Sequence, residues 1–218
     1  MRRCAGKRAV AASLGWEADP ATLARIGMLN RPGGAPYVEI DGRPGPFDVS
    51  LTDRAGWAVA VLGEPGSLTG GTIGVDVEIV EARSPAFVTD YLTPAEQDYV
   101  AAAGQPGSDG HCEAANLIWS AKESALKVLR VGLRADTRTV EVALGVGQIL
   151  DGWAPLRVRG PGHLQFPGWW RRDGVYLLTL ASRHAAPPPV ALPGAGDLAA
   201  ATPTHSWLAQ PRVVPPRP

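Results

Sequence analysis

Apolar positions recur every second residue in some stretches of this chain and every third or fourth residue in others, and the two spacings divide it into elements. Over residues 72–79 the alternation is strict. Ile73, Val75, Val77 and Ile79 fall on one face of a strand, and Asp76 and Glu78 on the other. Over 113–131, Leu117, Ile118, Ala121, Ala125, Val128 and Leu129 form a stripe near period 3.6, which predicts a long helix with Gly132 at its C-cap. The alanine-rich residues 1–14 read as a helix, and so do 19–29, with Asp19-Pro20 as the start signal. Thr93-Pro94-Ala95-Glu96 is a capping box with proline at the first helical position, so a further helix is predicted over 94–103. Strands are predicted at 36–40, 47–51, 57–62, 139–143, 153–158 and 175–181, with the hydrophobic Gly168-Trp169-Trp170 between the last two. Turn residues occupy 32–34, 41–46 and 52–56.

This order of elements predicts an α+β fold built as a pseudo-duplicated pair of halves. Each half is a small antiparallel sheet packed on a long helix, with the active site in the cleft between them. Residues 1–71 form the N-terminal half and 72–184 the C-terminal half, with the Gly/Pro/Ser-rich loop at 63–71 as hinge. From residue 185 onward proline and alanine dominate. Nine of the 21 prolines lie in the last 33 residues, so 185–218 is expected to be a disordered tail.

Composition narrows the function classes. With 21 basic and 21 acidic residues the formal charge is zero, so no global field favours nucleic acid or an anionic membrane surface. Cys4 and Cys112 stand far apart in no metal-ligand spacing and read as reduced thiols. The sequence shows no secretory signal and no apolar run long enough to span a bilayer, and a soluble cytoplasmic monomer is expected.

The chemistry concentrates in two segments, Gly74-Val-Asp-Val-Glu78 and Trp119-Ser-Ala-Lys-Glu-Ser-Ala-Leu-Lys127. Residues four apart on a helix share a side, which puts Trp119, Glu123 and Lys127 in a row. If strand and helix pack together, Asp76, Glu78 and Glu123 converge beside the Lys127 ammonium. That is a divalent-metal site with a cation next to it, suited to a pyrophosphate. Taken singly, each piece reads more plainly: two acids on a solvated strand face, and a Glu–Lys helix pair worth about 0.2–0.5 kcal/mol. The four histidines (His111, His163, His184 and His205) share no spacing with one another or with a carboxylate, and Trp169-Trp170 reads as packing.

Together the two segments resemble the paired signatures of the 4'-phosphopantetheinyl transferases of the Sfp type, roughly Gly-Ile/Val-Asp-x-Glu and Trp-Ser-x-Lys-Glu-Ser/Ala-x-x-Lys. Leu92-Thr93…Glu96 between them is similar to the family's middle motif, and the resemblance runs from about residue 3 to 182. It implies a phosphotransferase-type enzyme of secondary metabolism that moves the 4'-phosphopantetheine arm of coenzyme A to a serine of an acyl or peptidyl carrier protein. By the same resemblance, Asp76, Glu78 and Glu123 would hold Mg²⁺ on the CoA pyrophosphate. Lys127 would bind the same phosphates, and Glu123 would act as base on the serine hydroxyl. Arg3, Lys7 and Arg54 would serve the nucleotide phosphates, and Lys122, one position off the row, is expected in solvent.

Three departures from the family pattern point to a weakened CoA- or carrier-binding paralogue as the alternative. Asp53, in Ser50-Leu-Thr-Asp-Arg54, stands where the family has a histidine for the CoA 3'-phosphate, with Arg54 next to it to compensate. Ala35 stands where the family often has a lysine. The chain also opens inside what would be the family's first helix, so the N-terminal half is expected to be truncated.

Overall fold

A computed structural model describes residues 1–63, 72–131, 135–145 and 147–206. The hinge expected at 63–71 therefore falls almost wholly outside the described residues, and the long helix is capped not at Gly132 but at Arg130, which takes the left-handed conformation at φ 59° directly after Leu129.

The chain is α+β. It opens with α1 (Arg2–Ser13), whose buried Val10 and Ala11 pack with Ile26, Met28, Val38, Phe47 and Val49 in a first core. Next comes α2 (Pro20–Arg25), started as predicted by Asp19, whose carboxylate accepts from the backbone N–H groups of Ala21 and Thr22. This helix does not continue to residue 29. At Ile26 the chain turns into β1 (Ile26–Asn30), which pairs antiparallel with β2 (Pro36–Ile40), itself paired with the short β3 (Arg43–Pro44). Burial of Ile26 and Met28 around Gly27 is a period-2 pattern, and tertiary pairing overrides the helical reading of so short a run.

β4 (Val49–Arg54) and β5 (Trp57–Leu62) form a hairpin, so residues 52–54 belong to a strand rather than to the predicted turn. β6 (Ile73–Ile79) then opens a five-stranded antiparallel sheet in the order β6-β10-β9-β8-β7. Its other members are β7 (Glu141–Leu144), β8 (Ala154–Arg159), β9 (Gln165–Asp173) and β10 (Tyr176–Ser182). β9 contains the Gly168-Trp169-Trp170 stretch, where Pro167 and Gly168 argue against a strand. Pro167 is tolerated because pairing with β10 begins only at Gly168.

Between β6 and β7 come α3 (Pro85–Tyr91), α4 (Pro94–Ala102) and α5 (Asp109–Leu129). The Thr93/Glu96 capping box is present in full. Ser84-Pro85 carries the same cap-plus-proline signature and starts α3, an element the hydrophobic pattern alone misses. α5 lies across β6 and β10, and its Ala121, Ala125, Leu126 and Val128 close a second core with Val140, Leu156, Val158 and Phe166. Residues 185–206, read from composition as part of a disordered tail, lie on the opposite sheet face, where Leu198 is buried. Residues 207–218 are outside the described part.

Candidate active site on the β6–α5 contact

Helix α5 approaches β6 closely because Gly74 carries no side chain. A Cβ built at Gly74 would sit 2.0 Å from the backbone oxygen of Ser124 and 3.0 Å from Cβ of Lys127. Gly74→Ala therefore forces helix and strand apart. We expect a loss of about 1–3 kcal/mol, the usual range for overpacking, checked by urea unfolding.

The close approach lays the helix row over the strand row. Trp119 Nε1 donates to Glu78 Oε1 (3.2 Å), and Lys127 Nζ donates to Asp76 Oδ1 (2.8 Å) and to the Val75 carbonyl (2.7 Å). Glu123 lies on the same helix row between Trp119 and Lys127. Its Oε1 is buried with no hydrogen-bond partner. Burial, helped by the negative charge of Asp76 and Glu78 and opposed by Lys127, raises the Glu123 carboxyl to about 7.

The two strand carboxylates are each paired with protein cations, as buried charges must be. Besides Lys127, Asp76 accepts from Thr52 Oγ1 (3.0 Å) and Ser120 Oγ (2.9 Å). Glu78 Oε2 takes Arg54 Nε (2.9 Å) and Arg83 Nη2 (3.0 Å). Burial pushes the Glu78 carboxyl up, and Arg83 and Arg54 pull against that. Among the described residues, no group of three or more His, Cys, Asp or Glu is gathered as a ready metal cluster. Oxygen donors are the ligand chemistry of a hard divalent cation, and Glu123 Oε1 is a buried carboxylate oxygen without a hydrogen-bond partner.

β4 contributes to the site through a stripe the sequence reading missed. Asp48, Ser50, Thr52 and Arg54 alternate along the chain and are all buried. Asp48 Oδ2 accepts from the N–H groups of Thr72 and Ile73, and Ser50 Oγ from that of Val75. Thr52 and Arg54 then reach Asp76 and Glu78. A period-2 polar stripe ordinarily reads as a solvated face, so the signal was visible but its partner was not.

The remaining predicted residues separate. Arg54 is drawn into the buried pairs with Glu78 and Glu81 rather than toward a nucleotide. Arg3 is exposed, and Lys7 donates to the Leu23 carbonyl at 2.9 Å. Asp53 points outward and pairs with Arg2 at 2.8 Å.

Lys122 is not in solvent. Its side chain is fully buried, with Nζ 2.7 Å from Glu96 Oε2 and donating to the Thr137 (3.0 Å) and Val140 (2.8 Å) carbonyls. Lys122 therefore ties α5 to α4 and to the chain entering β7. Its partner Glu96 was legible as a capping residue and as part of the middle motif, but not as the partner of Lys122.

Residues 72–150 match the 4'-phosphopantetheinyl transferase superfamily. The matched segment runs from β6 past the end of β7, so both motifs and the Thr93/Glu96 box lie inside this transferase superfamily segment. A comparison with curated proteins gives no match. No helix among the described residues is long and apolar enough to cross a membrane.

Proposed function

We propose that this chain transfers the 4'-phosphopantetheine arm of coenzyme A to a serine of an acyl or peptidyl carrier protein. The observation that carries the reading is Glu123. It is a carboxylate with a buried unpartnered oxygen and a pKa raised to about 7, standing among Asp76, Glu78 and the Lys127 ammonium within the transferase superfamily segment. A base acting near neutral pH works best with a pKa in this range.

In the proposed step, the carrier serine oxygen bonds to the phosphorus bearing the pantetheine arm. The pyrophosphate bridge to the nucleotide breaks, 3',5'-adenosine bisphosphate leaves, and the serine proton passes to Glu123. Asp76, Glu78 and Glu123 would hold Mg²⁺, which when bound neutralises phosphate charge. Lys127, at the partly exposed rim, would steady the leaving phosphate.

The two-half reading has support in the packing, since α1 lies on β4 and β5 much as α5 lies on β6 and β10. The site would then occupy the seam between halves in a monomeric, cytoplasmic enzyme of secondary metabolism. The deciding test mixes apo carrier protein, CoA and Mg²⁺ and reads intact mass. A gain of one phosphopantetheine is expected, and binding without a mass change would favour the paralogue that only binds.

That second reading draws on Asp53 and Arg54. Arg54 is occupied by Glu78 and Glu81, so among the described residues the outward carboxylate of Asp53 has Arg2 as its ion-pair partner. If the CoA 3'-phosphate approaches here, like charges meet. A tenfold change in affinity needs only about 1.4 kcal/mol. We expect Asp53→His to tighten CoA binding by about that factor, and 3'-dephospho-CoA to bind the natural chain nearly as well as CoA. Calorimetry with the two ligands checks both.

A further inference from the structure

Residues 185–206 do more than cover the sheet. We propose that they form a strap that clamps the β4–β5 hairpin to the five-stranded sheet, on the face opposite α5, and so holds Thr52 and Arg54 in place against Asp76 and Glu78.

Three sets of contacts carry this. The first is apolar. Leu198, 8% exposed, lies in one cluster with Ala55 at the tip of the hairpin, with Val77, Ile79, Tyr176 and Leu178 of the sheet, and with Trp153 just before β8. Trp57 and Val59 of β5 and Ala201 of the strap pack against the same cluster, so strap, hairpin and sheet share one core.

The second is a grip on the hairpin tip. Ala55 is buried and held at φ 49°, a left-handed conformation that costs a non-glycine residue free energy and needs surrounding support. Its carbonyl accepts from the strap's Thr204 N–H at 2.9 Å and from Tyr176 Oη of β10 at 3.2 Å. Ala55 directly follows Arg54, which pairs with Glu78. The strap thus acts one residue away from the bonds that join β4 to β6.

The third is fit. The strap passes where side chains are missing: a Cβ at Gly174, in the β9–β10 turn, would lie 2.8 Å from the Ala199 carbonyl. Gly196 of the strap likewise sits against the Trp57 ring, 3.0 Å from where its own Cβ would be. At the strap's start, Trp169 Nε1 donates to the Ala186 carbonyl at 2.9 Å. Proline suits such a segment. It sets φ in advance and lowers the entropy lost on docking, and an extended strap needs few backbone N–H donors.

The strap is a property of the resting chain and is independent of any transferase activity. The test is hydrogen–deuterium exchange on the full chain, natural and Leu198→Asp, without substrate. In the natural chain the Thr204 amide is expected to be protected. In Leu198→Asp, exchange across both the strap and Trp57–Leu62 should quicken at least tenfold, with α5 unchanged. An unprotected Thr204 in the natural chain overturns the proposal, and so does a released strap with an unaltered hairpin. If Leu198→Asp also loosens α5, Thr204→Pro decides the matter, since it removes the N–H given to Ala55 and leaves Leu198 in place. Faster exchange at residues 54–58 in that variant supports the clamp, and unchanged exchange there refutes it.

Discussion

Glu123→Gln is expected to make the protein more stable at pH 8 and to abolish transfer. The native carboxyl titrates near 7 against an ordinary value of 4.5, so the folded state binds the proton more tightly than the unfolded state does. Stability from this group is therefore complete below about 4.5 and is lost as pH rises through about 7. Glutamine keeps the shape and removes the ionised form. The gain should be absent at pH 4 and greatest at pH 8, with a ceiling of about 3 kcal/mol at about 1.4 kcal/mol per pH unit. Urea unfolding at the two pH values reads the difference directly, and equal gains at both would refute the assignment. Activity should fall by at least the 10²–10⁴-fold typical of a lost general base, roughly, and further if a metal ligand goes with it. Asp76→Asn is the companion variant. Asp76→Ala would also strip acceptors from Thr52, Ser120 and Lys127, mixing loss of fold with loss of chemistry.

Lys122→Met is expected to cost about 3–5 kcal/mol, the usual result of removing one member of a buried ion pair. Glu96 would keep the Thr93 and Val142 N–H groups but lose its counter-charge. Combining Lys122→Met with Glu96→Gln should restore part of the loss, because the uncompensated charge is gone. Denaturant midpoints of the two single variants and the double close the cycle. A single-variant loss below about 1 kcal/mol would show that burial of Lys122 does not depend on this pair.

These two variants also mark what the chain disclosed and what it concealed. Glu123 and Lys127 were found because helix spacing and strand alternation are local rules, and the rows they predict do face each other across Gly74. Lys122 follows the same helix rule, which places it off the row. Its burial depends on carbonyls 15 and 18 residues away and on Glu96, and no periodicity encodes them. The same limit explains β1 and β9. Gly27 and Pro167 lie in stretches where the local preference is weak or contrary, and pairing with a distant strand decides. Leu198 is a lone apolar residue in a proline-rich run, too little to suggest order until the sheet face beneath it is known.

The polar stripe of β4 has a further consequence for how the two parts of the chain find each other. An apolar contact is nearly indifferent to sliding, because one methyl group replaces another at little cost. The β4–β6 contact is written in directional characters: a carboxylate, two hydroxyls and a guanidinium, met in order by N–H groups and then two carboxylates. Shifting β4 by two residues keeps the same side chains facing inward, yet moves Arg54 off Glu78 and brings a hydroxyl opposite that buried carboxylate. Each such mismatch leaves a desolvated charge short of its partner. The contact therefore works as a keyed joint, which closes in one alignment and rejects its neighbours.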